Sequence, residues 1–406
     1  MYETVAILAL AVFLYSAFAR QLESSRIGGA ITFTVVGLLL GNSVLGLLDL
    51  ELDGDAIGTL AELTLAFLLF ADAAGADLKE LARQRILPRR MLLLGLPGAV
   101  LLGLAVGIPL FGTSLDIFEI ALLAAILAPT DAALGKAVVT DETVPNRIRT
   151  TLNFESGLND GLCVPIFLTF LAFATQQAGD QGFGEIVLHL LLEEVGIGAG
   201  VGILLSGLAC LIIRQAERCG TIGEHWRPLM VPALALACFC SAQQLGGSGF
   251  IAAFVGGLVF GGVMAEHAEA FVRPAESIGD GAALLTWVMF GATVAALVIE
   301  NLTWHTVVYA ALSLTVVRML PVWFSLLGTG TPLREALFLG WFGPRGLASI
   351  VFAIMAVEAG IPGAETIALV VACTVAMSII AHGLSAKPLA ARLAAAESRA
   401  AQDGPA

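Results

Sequence analysis

Charge is what this chain has least of. Asp, Glu, Lys and Arg make up 13% of its 406 residues, against about 25% in an ordinary soluble domain. That deficit excludes a disordered chain and a conventional soluble enzyme. Basic residues are the scarcer sign: 20 against 33 acidic ones leave a net charge of −13. There is no cationic surface for nucleic-acid phosphates. Cysteine is also sparse. Cys163, Cys210, Cys219, Cys238, Cys240 and Cys373 lie mostly in apolar stretches, without metal-ligand spacing or the density of a disulfide framework. They read as small packing residues. The start, Met1-Tyr2-Glu3-Thr4, lacks the basic stretch of a cleaved signal peptide, so the first apolar run is expected to remain as a membrane helix. Long polar connections are missing as well, and no sizeable soluble domain is expected. Hydrophobic residues, at 58%, and 45 glycines fill the space instead. The class is polytopic membrane protein, all-α.

A spanning helix needs about 20 mostly apolar residues. That rule gives thirteen segments, at about 3–19, 27–48, 56–76, 91–112, 117–139, 150–175, 185–213, 228–245, 248–265, 278–299, 304–327, 333–357 and 364–385. Gly41-Asn42 marks a candidate kink in the second. The seventh is long enough either to tilt or to begin with an interfacial turn carrying Glu193 and Glu194.

The basic residues test this count independently. With the N-terminus outside, Arg20 and Arg26 fall in the first inside connection, and Lys79, Arg83, Arg85, Arg89 and Arg90 in the second. Lys136, Arg147 and Arg149 flank the third, and Arg214, Arg218 and Arg227 the fourth. Arg273 and Arg334 take one each, and Lys387, Arg392 and Arg399 follow the last segment. Arg318 and Arg345 are intramembrane, and no basic residue remains for an outside loop, as the positive-inside rule requires. The expected organisation is a transmembrane transporter domain over 1–386 and a short cytoplasmic tail over 387–406. The tail is an Ala-rich amphipathic stub expected to fray. The expected location is the cell membrane, N-terminus outside and C-terminus cytoplasmic.

An ionisable side chain at mid-membrane costs at least about 2.5–3.5 kcal/mol, so each one requires a reason. Asp131, Asp160 and Arg345 lie deep in the fifth, sixth and twelfth segments, with Glu155 somewhat nearer the cytoplasm. Asp72 sits in the cytoplasmic half of the third. Glu62 and Arg318 read as interfacial, snorkelling or structurally paired groups. Two of the deep charges stand at helix breakers. Pro129 in Ala128-Pro129-Thr130-Asp131 deletes a helical hydrogen bond, and Gly343-Pro344-Arg345-Gly346 is a second break. Interrupted helices at corresponding places in two halves point to a transporter binding site. Here they are the fifth of segments 1–6 and the fifth of segments 8–13. An odd offset of seven crossings makes the two units inverted repeats, with the seventh segment as connector.

The sixth segment supplies the chemistry, in Asn153-Phe154-Glu155-Ser156-Gly157-Leu158-Asn159-Asp160. Ser156 and Asp160 share one helix face, and Glu155 and Asn159 the adjacent one. Carboxylate, amide and hydroxyl oxygens suit a small hard cation rather than a soft metal. Glu155 is the natural partner for Arg345, because an unpaired buried guanidinium is costly. Two further desolvated carboxylates, Asp131 and Asp160, would then compete for protons and cations.

The Thr130-Asp131 break, the Glu155-Ser156 to Asn159-Asp160 string and the Gly343-Pro344-Arg345-Gly346 break, in this order, resemble the sodium/proton exchanger branch of the monovalent cation/proton antiporter superfamily. The type is prokaryotic, with an Asn-Asp pair on the sixth helix, and Phe70-Ala71-Asp72-Ala73 resembles another motif of its prokaryotic members. The resemblance implies that Asp160 is the essential cation- and proton-binding carboxylate. It implies that Thr130 (through its carbonyl or hydroxyl), Asp131, Ser156 and Asp72 complete the Na⁺ coordination. Asn159 stabilises the crossing, and Glu155 pairs with Arg345. It further implies a homodimer, with helices 4–6 and 11–13 as a moving core and helices 1–3 and 7–10 as the dimer scaffold. No cofactor is implied beyond the transported Na⁺ and H⁺. The partners are the lipid bilayer and a second copy, not nucleic acid. The long cytoplasmic regulatory region of many animal relatives is not found, so regulation by such a tail is not expected.

The expected function is therefore secondary active antiport of Na⁺ (and Li⁺) for H⁺ by elevator-like alternating access. Electrogenic relatives carry Asp-Asp where this chain has Asn159-Asp160, so the exchange is expected to be electroneutral, one for one. A K⁺/H⁺ antiporter on the same fold is the alternative. A cation channel fits inverted broken helices less well. The histidines His189, His225, His267, His305 and His382 lie mostly near segment ends and read as interfacial.

Overall fold

The computed structural model describes residues 2–24, 28–41, 44–47, 54–76, 86–175, 184, 188, 190–265 and 268–402. All regular structure among them is helical, and each of the thirteen expected segments is helical. The first four are α1 (Tyr2–Ser24), α2 (Gly29–Leu40), α3 (Gly54–Gly75) and α4 (Ile86–Phe111), the last with a π turn over Met91–Gly95. The fifth is two pieces, α5 (Ile117–Ile126) and α6 (Ala132–Val139). The sixth is α7 (Asn146–Ala174). The seventh is α8 (Gly198–Arg218), entered through a π turn at Leu191–Ile197 that carries Glu193 and Glu194. Next come α9 (Arg227–Gln244), α10 (Gly249–Met264) and α11 (Ala268–Asn301). The eleventh segment is α12 (Trp304–Leu314) and α13 (Val316–Leu326). The twelfth is α14 (Leu333–Trp341) and α15 (Leu347–Glu358), and α16 (Ala364–Gln402) is last. Six of these spans are long and apolar enough to cross a membrane by themselves.

Three segments differ from expectation. The second ends at Leu40, with Gly41 as its C-cap, rather than kinking at Gly41 and continuing; Asn42 lies outside the described residues. The eleventh is broken at Thr315, whose backbone (φ −111°, ψ −90°) leaves the helical region. The Thr315 hydroxyl donates back to the Ala311 carbonyl at 2.6 Å, a bond that bends helices, and Pro321 removes another ladder donor. The last helix does not fray after 386. Ala386, Ala390 and Leu393 are buried in one apolar cluster with Val138, Ile148, Leu152 and Phe338, and Arg334 donates to the Ala396 carbonyl at 3.3 Å.

By their internal contacts the residues divide into two compact units: Met1–Glu51, Gln84–Ser156 and Leu284–Ala406 form one, Leu52–Arg83 and Gly157–Ala283 the other. The first holds α1, α2, α4–α6 and α12–α16. The second holds α3 and α8–α10, and helices α7 and α11 run from one to the other. Glycine sets the close approaches within each. In the second unit, a Cβ at Gly257 or Gly261 would run into the Phe70 and Ala74 carbonyls, so α10 lies backbone against backbone on α3, the small-residue packing typical of membrane helices. In the first unit, Gly37 and Gly291 do the same for α2 and α11, against the Val288 and Thr34 carbonyls. The start of α5 is fixed by a capping box. Asp116 accepts from the Phe118 and Glu119 N–H groups, and Glu119 accepts in return from the Asp116 N–H.

Candidate functional site

Two broken helices leave four helix ends inside the first unit, each with backbone groups no helix can satisfy. Asp131 and Arg345, both singled out in the sequence, satisfy three of them. Asp131 stands directly before α6. Its Oδ1 accepts the Leu134 N–H at 3.1 Å and its Oδ2 the Leu347 N–H at 2.9 Å. One carboxylate thus caps both half-helices that begin at the crossing, α6 and α15, where negative charge also meets the positive ends of two helix dipoles. The chains are tied again by the Asp131 N–H, which donates to the Pro344 carbonyl at 2.8 Å.

Arg345 serves the opposite polarity. Its Nη1 donates to the Ala128 and Pro129 carbonyls at 2.7 and 2.9 Å, beyond the last turn of α5. A cation is placed where the dipole is negative and carbonyls would otherwise be orphaned. Its backbone N–H donates to Ser378 Oγ at 2.7 Å, and Ser349 Oγ donates to the Ile126 carbonyl at 2.8 Å. The fourth end, that of α14, is met by His382. Its Nε2 lies 2.8 Å from the Trp341 carbonyl, and its Nδ1 faces the Ser378 carbonyl and hydroxyl at 2.9 and 3.1 Å. His382 is buried, not interfacial as its place near the end of the thirteenth segment suggested.

Arg318 carries the main correction. The sequence paired Glu155 with Arg345 and left Arg318 at an interface. Arg318 is buried and forms an ion pair with Glu155, Nη1 to Oε1 at 2.8 Å, and neither side chain is more than 1% exposed. The bend at Thr315 redirects the short α13 that carries Arg318. Gly343 makes the room: a Cβ there would strike the Arg318 guanidinium. Gly346 does the same for the Asp131 carboxylate. The two glycines of Gly343-Pro344-Arg345-Gly346 are therefore sites where side chains from other segments pass. The other Glu155 oxygen, Oε2, accepts from Thr130 Oγ1 at 3.1 Å, and Thr130 Oγ1 lies 3.2 Å from Ser156 Oγ. Thr130, Glu155, Ser156 and Arg318 thus form one buried polar string.

The remaining candidates belong to the second unit. On α7, Asn159 is fully buried and continues the Glu155 face, while Asp160 is partly exposed and continues the Ser156 face, one turn on. Asp72 of α3 flanks the same helix. A Cβ added to Gly157 would meet the Asp72 Cβ at 3.7 Å. His225 is exposed and His305 stacks on Trp304 with ring centroids 3.8 Å apart, whereas His189 and His267 lie outside the described residues.

Sequence comparison bears on this arrangement. Residues 7–392 match the family described as sodium/hydrogen exchanger, transmembrane. Over 398 residues the chain is 25% identical to the K⁺/H⁺ antiporter NhaP of Alkalimonas amylolytica, covering 95% of this chain and 66% of that relative. It is 28% identical over 255 residues to a Na⁺/H⁺ antiporter of Schizosaccharomyces pombe, covering 58% of this chain and 53% of that one. The chain thus spans between about half and two thirds of these relatives' lengths. In fold it is similar to the sodium proton antiporter MjNhaP1 of Methanocaldococcus jannaschii, with a TM-score of 0.77 over 96% of this chain and 98% of that one, at 21% identity.

Proposed function

Because the chain belongs to the sodium/hydrogen exchanger family, a family of transporters rather than enzymes, we propose that it is a secondary active antiporter that trades a monovalent cation for protons. Sodium is the first reading and Li⁺ an accompanying substrate. Potassium is the second reading, favoured by the K⁺/H⁺ names carried by relatives such as the Alkalimonas protein.

The observation that carries the proposal is the division of labour among the carboxylates. Asp131 is committed to two backbone N–H groups and Glu155 to Arg318 and Thr130. Both carry structural hydrogen bonds in which the ionised form is held, so the exchanging role is assigned to Asp160. It lies one turn from Ser156 on the same face of α7, and the Ser156 hydroxyl is itself in reach of Thr130. Ser156, Thr130, Asp131 and Asp72 are assigned to the cation's oxygen ligands by family resemblance, and Asn159 to steadying the crossing. Such hard oxygen donors suit Na⁺ or Li⁺. A carboxylate that takes either one proton or one monovalent cation carries the same net charge in both crossings, which makes the exchange electroneutral.

Helices 4–6 and 11–13 are assigned to an elevator-like moving core, and helices 1–3 and 7–10 to the scaffold of a homodimer. The assigned location is the cell membrane with the C-terminus cytoplasmic, on the strength of the one-sided arginines. No cofactor is assigned; Na⁺ and H⁺ are substrates. The test is proton movement in proteoliposomes driven by Na⁺, Li⁺ or K⁺ gradients compared side by side. Na⁺-driven proton movement is expected. Cation flux that moves no protons would mean a channel and overturn the proposal.

A further inference from the structure

We propose that the groove between α4 and α13 binds one anionic phospholipid, with an acyl chain along its apolar floor and the phosphate on Arg89 and Arg90. The groove has a volume of about 380 Å³ and is lined by Leu94, Gly98 and Leu102 from α4 and by Leu320, Pro321 and Phe324 from α13. Ser325 is its one polar liner. Both helices belong to the same compact unit.

Its shape follows from the sequence. Leu94, Gly98 and Leu102 recur every fourth residue and so form one stripe of α4. Gly98 keeps the middle of that stripe low, since even a Cβ there would lie 3.0 Å from the Pro321 side chain. From Leu94 to Leu102 the stripe rises about 12 Å, less than half of the roughly 30 Å hydrocarbon core. That is the reach of one chain in one leaflet. The rims are exposed, Leu94 at 56% and Phe324 at 55%, as lipid-facing side chains must be.

Charge selects the headgroup. Arg90, one turn before Leu94 on the same stripe, donates from Nη1 to the Leu327 carbonyl at 2.5 Å, just past Phe324, and Arg89 beside it is exposed. The π turn Met91–Gly95 follows these arginines directly and carries Leu94, the first residue of the stripe, and single π turns in helices concentrate at functional sites. Neither residues 84–115 nor 302–334 contain a single Asp or Glu, so nothing on the two lining elements neutralises the mouth. A zwitterionic lipid would fill the groove and leave this charge unmet. A second protein copy would need an acidic complement and a protruding side-chain ridge, and a free phosphate would leave the apolar floor empty.

The site adjoins the transport machinery. Pro321 lies one turn from Arg318 on α13, so an occupied groove steadies the helix whose arginine holds Glu155.

The test is native mass spectrometry of the purified full chain, with phosphatidylglycerol and phosphatidylcholine of the same acyl chains in competition. Phosphatidylglycerol adducts should dominate. Arg89→Gln, an exposed change outside the exchange site, should weaken phosphatidylglycerol retention about fivefold, the effect of one basic residue at an anionic surface, and leave phosphatidylcholine unchanged. Leu94→Trp, filling the groove, should remove both. Equal retention of the two lipids by the unaltered protein would overturn the proposal. So would adducts that survive Leu94→Trp, displacement by inorganic phosphate alone, or a Leu94→Trp effect confined to the monomer–dimer ratio.

Discussion

Arg318→Met probes a buried ion pair that the sequence, reading Arg318 as interfacial, did not suggest. The guanidinium and the Glu155 carboxylate are 2.8 Å apart and neither side chain is more than 1% exposed. Among the described residues, Arg318 Nε and Nη2 have no hydrogen-bond partner, so this one bond to Glu155 holds the guanidinium. Removing one partner of a buried pair leaves an uncompensated charge and costs about 3–5 kcal/mol. Arg318→Met and Glu155→Gln should each fall in that range. The double variant removes both charges of the pair and keeps an acceptor for Thr130, so it should lose about 2–3 kcal/mol less than the two singles summed. Unfolding of the purified protein in detergent, followed by thermal shift or denaturant titration, reads all three. Additive losses, or an Arg318→Met cost below about 1 kcal/mol, would refute the pairing.

Three further outcomes follow from the same geometry. Asp131→Ala removes two caps at about 1 kcal/mol each, so unfolding measurements should show a loss of about 2 kcal/mol; a change under about 0.5 kcal/mol would mean that the double cap is idle. Leu393→Ala, in the cluster that seats the end of α16, should cost about 2 kcal/mol by the same measurement, whereas a frayed tail would register nothing. Exchange in proteoliposomes should not respond to a potassium-diffusion potential clamped with valinomycin. A potential of 100 mV contributes about 2.3 kcal/mol per net charge moved, so a rate that shifts with the imposed voltage would bring in Asp131 as a second proton carrier.

The breaks at Pro129 and Pro344 were legible because proline and glycine act on the backbone, which sequence reports directly. Carboxylates at membrane depth were legible for a similar reason: their cost depends on depth, and depth can be counted along a segment. The direction a side chain takes around its helix cannot be counted so. Arg318 stands as far into its segment as Asp131 does into its own, and that signal argued against an interfacial role. Its turn toward Glu155 depends on the Thr315 bend and on the space that Gly343 leaves, and that these two segments meet there is set by the fold. The double cap by Asp131 was half visible: Asp is a preferred N-cap, and one stood directly before a helical run. That it would also cap α15, some 216 residues away, required the fold. In the tail, Ala386, Ala390 and Leu393 recur at the helical spacing of a packed face, a stronger signal than the alanine-rich composition that suggested fraying.

The most direct test of the central claim is cation-driven proton exchange by purified Asp160→Asn protein beside the unaltered chain, in proteoliposomes of one composition. Asn keeps the size and one oxygen of the side chain but can neither bind a proton at neutral pH nor neutralise Na⁺. The account predicts that the variant folds, unfolds within about 1 kcal/mol of the parent, and exchanges nothing above protein-free vesicles. Sustained Na⁺-driven proton movement by Asp160→Asn would contradict it and move the exchanging role to another carboxylate.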